Sequence, residues 1–365
     1  MNAEHAYMDL VRAALQGDKA VWPVEQTNRL MQLNAQQGTG SLVYPMVLEQ
    51  ADIPAAARLQ MKSICLQTMQ QQVKLQHTLQ LALDALEKAG IQAVLMKGAG
   101  LAALYPEPQF RAWGDIDLFV GKEQYHPACA VMRSTFPDAL KFDEELDHYK
   151  HYNLIADGIS IEIHRVSVAH QHPVDEIRYD QIEHFGMTHG EQITLNGRTV
   201  TVPEPTFNAL FVMLHAWEHM MTQGANIRQL CDWTLLLRAY HDSIDSERLK
   251  SYIDALRLMD VWQLFTWLAV HQLGLKQSEA LFYSDEPARR AERLLGDLLS
   301  GQMVETKHSD TAPKGRIRRK MHTMQERMKN ADRIEQYSPA YARHMRATTW
   351  LHGVRRFFAK DRHWE

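Results

Sequence analysis

Two short segments, 115–120 (Asp-Ile-Asp-Leu-Phe-Val) and 159–164 (Ile-Ser-Ile-Glu-Ile-His), alternate aliphatic and polar residues. A strand sends successive side chains to opposite faces, so both segments call for a sheet with one apolar and one polar face. In the first, Ile116, Leu118 and Val120 share a face and Asp115, Asp117 and Phe119 take the other. In the second, three isoleucines oppose Ser160, Glu162 and His164. The rest of the chain has to cover the apolar face.

Helical sequence flanks the strands. Residues 55–88 contain neither Gly nor Pro, and Met61, Cys65, Met69 and Val73, followed by Leu75, Leu79, Leu83 and Leu86, read as a core-facing stripe with Gly90 as the C-cap. Residues 91–96 read as a short buried strand, 97–100 (Lys-Gly-Ala-Gly) as a turn, and 101–105 as a helix stopped by Pro106 and Pro108. A helix of about fifteen residues is expected from Lys122. Hairpins are expected at 152–164 around Asp157-Gly158 and at 192–202 around Asn196-Gly197, because these pairs suit tight turns with positive φ. Helices follow at 207–221, 229–240 and 261–273, and the polar stretch 306–320 reads as a mobile linker. The expected class is α+β: a helical region 1–87, a sheet-bearing unit 88–205, a helical domain 206–300, and a basic linker with a terminal helix over 301–365.

With 45% hydrophobic residues in 365, the chain can bury a full core. A net charge of -4 gives no general reason to expect nucleic-acid binding. The charge is unevenly placed: residues 301–365 hold 15 Lys+Arg against 7 Asp+Glu, with a basic run at 314–320. That run is read as a solvated face, and Phe357-Phe358 beside Arg355-Arg356 as a helix docking on the acidic body. Cys65, Cys129 and Cys231 are far apart and form no metal or disulfide pattern, which fits a reducing compartment. No secretory signal or membrane-spanning run is expected, so a cytoplasmic location is.

Asp115 and Asp117 project to one side of a strand, about 6–7 Å apart along the backbone, where they can share a cation. The plain alternative is an exposed edge strand. If the two alternating strands are neighbours, Glu162 becomes a third carboxylate on that face, and the mutual repulsion calls for a hard cation, Mg²⁺ or Mn²⁺. Lys97-Gly98, with Gly100, stands at a strand-to-helix turn that can approach a phosphate, or is an ordinary glycine loop. Arg111 is either a planar cation for phosphate oxygens or a surface arginine. A rival pattern, His215-x-x-Glu218-His219, spells an inverted zinc-protease motif. Whether His164, His215 or His219 lines a cleft stays open.

In order, the pieces are strand, Lys97-Gly98, helix, Arg111, Asp115-x-Asp117 on a strand, helix, hairpin and Glu162. This arrangement resembles the nucleotidyltransferase superfamily with the DNA polymerase β type of palm. More narrowly, a Lys-Gly loop, an Arg before D-x-D and an E-x-H strand over about residues 70–240 look like its uncharacterised bacterial nucleotidyltransferase family. The resemblance implies a palm at 88–205, metal ligation of Mg²⁺ (or Mn²⁺) by Asp115, Asp117 and Glu162, and Lys97, Gly98 and Arg111 near the nucleotide phosphates. Lys97-Gly98 stands where the superfamily usually has Gly-Ser, so Lys97 would substitute by charge. The implied reaction transfers a nucleoside monophosphate from an NTP to an unidentified acceptor, a small molecule, sugar or protein, releasing pyrophosphate. The alternative is an inactive member that binds nucleotide or regulates a partner.

Overall fold

Thirty-four residues without a helix breaker make one long helix, Ala55–Lys88, which ends where Gly90 turns to φ 72° and the Ile91 amide reaches back to the Leu86 carbonyl at 2.9 Å. The computed structural model describes residues 2–142, 146, 148–168, 173–222, 224–301 and 316–358. In chain order the helices before the sheet are α1 (Ala3–Gln16), α2 (Thr27–Gln37), α3 (Gly40–Val47) and the long α4. Then come β1 (Val94–Met96), α5 (Gly98–Ala102), β2 (Asp115–Phe119), α6 (Gly121–Thr135), β3 (Leu140–Lys141), β4 (His151–Ala156) and β5 (Ile159–His164). Helix α7 (Pro173–Thr188) precedes β6 (Glu191–Leu195) and β7 (Arg198–Val202). The helices α8 (Pro205–Thr222), α9 (Ile227–Tyr240), α10 (Ser246–Ala255), α11 (Met259–Leu273), α12 (Ala288–Ser300), α13 (Arg316–Glu335) and α14 (Pro339–Phe358) complete the chain.

The fold is α+β, as expected. Its seven strands form one mixed sheet in the order β3-β4-β5-β2-β1-β7-β6. The β2–β5 and β1–β7 pairs are parallel and the others antiparallel. Both expected hairpins are present. Asp157 and Gly158 take φ 49° and 79°, and Asn196 and Gly197 the same two values, as a two-residue primed turn requires.

The alternation of the strands divides the molecule into two cores. On one face Leu95, Ile116, Leu118, Leu154, Ile161 and Ile163 pack against the second half of α4 and against Tyr125, Cys129 and Met132 of α6. The opposite face turns Val94 and Met96 toward a larger core that joins α1–α3 and the start of α4 to α8–α12, with Trp217, Trp233 and Trp262 fully buried at its centre. Ile334, Tyr337 and Met345 bring α13 and α14 into the same core, fixed by hydrogen bonds from Tyr337 to Asp297 (2.6 Å) and from Ser338 to Asp260 (2.7 Å). The linker expected at 306–320 lies outside the described residues as far as 315, and residues 316–320 are the start of α13 instead; of the basic run only the exposed Arg318 side chain is described, and those of Phe357-Phe358 are not.

Candidate active site

The polar face of the sheet is ordered by strand register. Asp117 lies directly across from Glu162 on parallel β2 and β5, Asp115 from Ser160, and Phe119 from His164. Antiparallel β4 extends the rows, with Asn153 opposite Glu162 and His151 opposite His164. Neighbouring strands are about 4.8 Å apart, so the three acids expected from sequence share one patch.

A lysine and a histidine sit among them. The Lys97 ammonium is 3.1 Å from Asp117 Oδ1, and His164 Nε2 bridges Asp117 Oδ1 (3.0 Å) and Glu162 Oε2 (3.1 Å). Burial alone would raise the Asp117 carboxyl, but Lys97 and the His164 hydrogen bond hold it far below the usual carboxylate range. Glu162 is lowered too, its burial outweighed by His164. Asp115 is pushed up to about 6, first by the charge of Asp117 and then by burial. Burial works against the charged forms of Lys97 and His164, but the neighbouring carboxylates outweigh it and raise both. Asp117 Oδ2 is buried and has no hydrogen-bond partner. A buried carboxylate oxygen with vacant lone pairs beside two further acids is an oxygen donor set of the kind a divalent cation takes, although the ligand atoms of Asp115, Asp117 and Glu162 do not all lie within 4.8 Å of one another, so the side chains would have to close on the ion.

Lys97 reaches this position through an uncommon backbone, φ 51° and ψ -140°, followed by Gly98 at φ 44°. A Cβ on Gly98 would lie 3.3 Å from the Trp113 ring and 3.5 Å from the Asp115 carbonyl oxygen, so the glycine lets the turn pack on the start of β2.

Helix α8 closes the other side. His215 Nε2 is 3.5 Å from the Lys97 ammonium, which can only donate, so His215 is the acceptor. Burial and Lys97 push its pKa well down, and His219 is lowered to about 4 for the same two reasons. Glu218 lies 4.0 Å from Lys150. His215, Glu218 and His219 form no three-ligand metal cluster; among the described residues that geometry occurs only at His151, Glu162 and His164. The zinc-protease pattern is therefore a pair of packed rings, 4.4 Å apart, with His215 against Lys97.

Arg111 is placed differently from the sequence expectation. Its guanidinium is buried and doubly bonded to Asp232 of α9, through Nε to Oδ1 at 3.0 Å and through Nη2 to Oδ2. Tyr105 donates to Asp232 Oδ1 at 2.7 Å, Gln72 to the Arg111 carbonyl, and Arg228 to the Ala112 carbonyl at 2.8 Å. These bonds clamp the segment that feeds β2. The guanidinium thus anchors the strand bearing the aspartates, and its fork is filled by a protein carboxylate.

Residues 23–274, well over half of the chain, match the family described as an uncharacterised nucleotidyltransferase. The chain belongs to this nucleotidyltransferase family. Among curated proteins no match was found. Among solved structures, the crystal structure of an antigenic nucleotidyltransferase-like protein from Paracoccidioides brasiliensis is 16% identical, with a TM-score of 0.33 over 56% of this chain and 93% of that one.

For a member of a nucleotidyltransferase family the acids were legible, but several of their neighbours were not. The pairing of His151 with His164 follows from the Asp157-Gly158 turn, since a two-residue loop pairs residues equidistant from it, whereas the His164 bridge to Asp117 depends on the β2–β5 pairing. Lys150, one residue before β4, and Asp232, on a distant helix, carry no such local signal. No described helix is long and apolar enough to cross a membrane.

Proposed function

We propose that this chain is a divalent-metal-dependent nucleotidyltransferase that moves a nucleoside monophosphate from an NTP to an acceptor hydroxyl or phosphate and releases pyrophosphate. The observation that carries this reading is the register of Asp117 against Glu162, with Asp115 on the same face and Asp117 Oδ2 buried without a partner. Asp115, Asp117 and Glu162 are the residues that would hold Mg²⁺ or Mn²⁺. Such ions neutralise the charge that develops on a transferring phosphoryl group and grip the leaving pyrophosphate. Lys97 sets an ammonium beside the same acids, within reach of triphosphate oxygens. His215 accepts from Lys97 and steadies it while staying uncharged. Arg111 serves at one remove, because Asp232 already occupies its guanidinium and the pair holds β2 in place. The remaining catalysis is positioning: the acceptor oxygen bonds to the α-phosphorus as the bond to pyrophosphate breaks, and the proton of a hydroxyl acceptor passes to solvent.

The test is pyrophosphate release from each NTP with a panel of sugar, small-molecule and protein acceptors in Mg²⁺ or Mn²⁺. Release that depends on an acceptor and disappears in Asp117→Asn supports the reading. Tight NTP binding with no release from any acceptor supports the inactive, nucleotide-binding alternative.

A further inference from the structure

Beside the two aspartates, the polar face carries a second donor group of a different chemical kind. His151, Glu162 and His164 each present one ligand atom, and these atoms lie within 4.8 Å of one another. Glu162 Oε2 is 3.1 Å from His164 Nε2 and 3.8 Å from His151 Nδ1. A tetrahedral ion with bonds near 2.1 Å sets its ligands about 3.4 Å apart, and the two measured separations bracket that value.

The histidines are oriented for the task. His164 Nδ1 lies 3.3 Å from the Val166 carbonyl, which can only accept, so Nδ1 carries a proton, and Nε2, turned toward both Asp117 and Glu162, takes an ion in place of any proton it holds. An imidazole held through its far nitrogen by a backbone carbonyl is how metal-bound histidines are usually fixed. His151 Nδ1 is buried, has no hydrogen-bond partner, and sits opposite His164 in the β4–β5 register. Two imidazoles and one carboxylate favour a borderline transition ion over Mg²⁺, which prefers oxygen and keeps its waters.

We propose that His151, Glu162 and His164 form a binding site for a divalent transition ion of the Zn²⁺ type, adjoining the two aspartates and sharing Glu162 with them. The site needs neither nucleotide nor transfer chemistry. It stands apart from the transferase reading in its donors, although an ion held here takes up the carboxylate that the aspartates would share.

The test uses Co²⁺ as a visible stand-in for Zn²⁺, titrated into the full chain without nucleotide. The expected result is a saturable absorption band from nitrogen-ligated Co²⁺ that Zn²⁺ removes stoichiometrically and a large excess of Mg²⁺ leaves in place. His151→Ala should weaken Co²⁺ binding by at least about tenfold. His151→Gln, which keeps the volume and a polar end, covers the case in which the alanine variant does not fold, with circular dichroism as the check. Unchanged Co²⁺ affinity in the folded His151 variant, or displacement by Mg²⁺ as effective as by Zn²⁺, overturns the proposal. Pyrophosphate release separates the two readings: its absence counts against transfer and leaves the Co²⁺ band untouched.

Discussion

Asp232 and Asp117 are both buried aspartates paired with a cation, and they differ in how completely their oxygens are used. Asp232 receives two bonds from Arg111 and one from Tyr105, so both oxygens are filled. At Asp117 one oxygen is shared by Lys97 and His164, the other has no partner, and two more carboxylates stand close by. The first arrangement is closed and holds strand β2 to helix α9. The second is crowded with like charge yet one bond short, a condition that another cation would resolve. A buried cation–carboxylate pair therefore reads as scaffold or as site according to the lone pairs it leaves over.

The sharpest way to break this contrast is to remove the scaffold cation. Arg111→Ala strands the Asp232 carboxylate in the core and should cost about 3–5 kcal/mol of stability, with Arg111→Lys recovering part of it. Chemical denaturation measures this. Below the melting temperature NTP affinity should be unchanged, and a selective loss of nucleotide binding in a stable Arg111→Ala protein would return Arg111 to the phosphate site.

A third buried carboxylate forms no ion pair among the described residues. Glu183 of α7 accepts a bond from the Ser167 amide at 2.6 Å and is pushed up to about 7, chiefly by burial. A carboxyl raised in the folded state adds stability that is complete below its unfolded pKa and is lost as pH rises through about 7. Wild-type stability should thus decline by up to about 3 kcal/mol between pH 4.5 and 8 on account of this group. Glu183→Gln should flatten that decline in melts across the range; identical pH profiles for the two proteins would show that the group is not buried as a neutral acid.

Lys97→Met is the gentlest probe of the site. Loss of one charged donor should weaken NTP binding by about 1.5–3 kcal/mol. Divalent affinity without nucleotide should hold or rise, because the ammonium no longer competes for Asp117. Calorimetry with and without nucleotide separates the two effects, and a fall in both would recast Lys97 as a structural partner of Asp117.

Much of this was readable in the sequence because it is local. Alternation fixed the faces of β2 and β5, and the Asp-Gly and Asn-Gly turns fixed both hairpins. The four-residue stripe on α4 was only half right. Met61 and Cys65 are buried, whereas Met69 is 38% and Val73 67% exposed. Steps of four advance about 40° each around a helix of 3.6 residues per turn, so by the third step the stripe has rotated off the core. Helix α7 gave little warning, since its apolar residues follow no strong helical period and Gly186 interrupts it. That glycine is needed because a Cβ there would fall 2.1 Å from Phe207 Cγ of α8. The Arg111–Asp232 pair joins residues 121 apart in sequence, and tertiary packing alone decides it.

The central claim is that Asp115, Asp117 and Glu162 form a divalent-metal site completed by nucleotide, and Mn²⁺ titration followed by electron paramagnetic resonance tests it most directly. Wild-type protein should bind Mn²⁺ weakly alone and more tightly with a non-hydrolysable NTP, since the triphosphate adds oxygen ligands. Asp117→Asn should lose the nucleotide-dependent gain by more than about tenfold while remaining folded. Equal Mn²⁺ affinity in wild type and Asp117→Asn, with nucleotide present, would contradict the account.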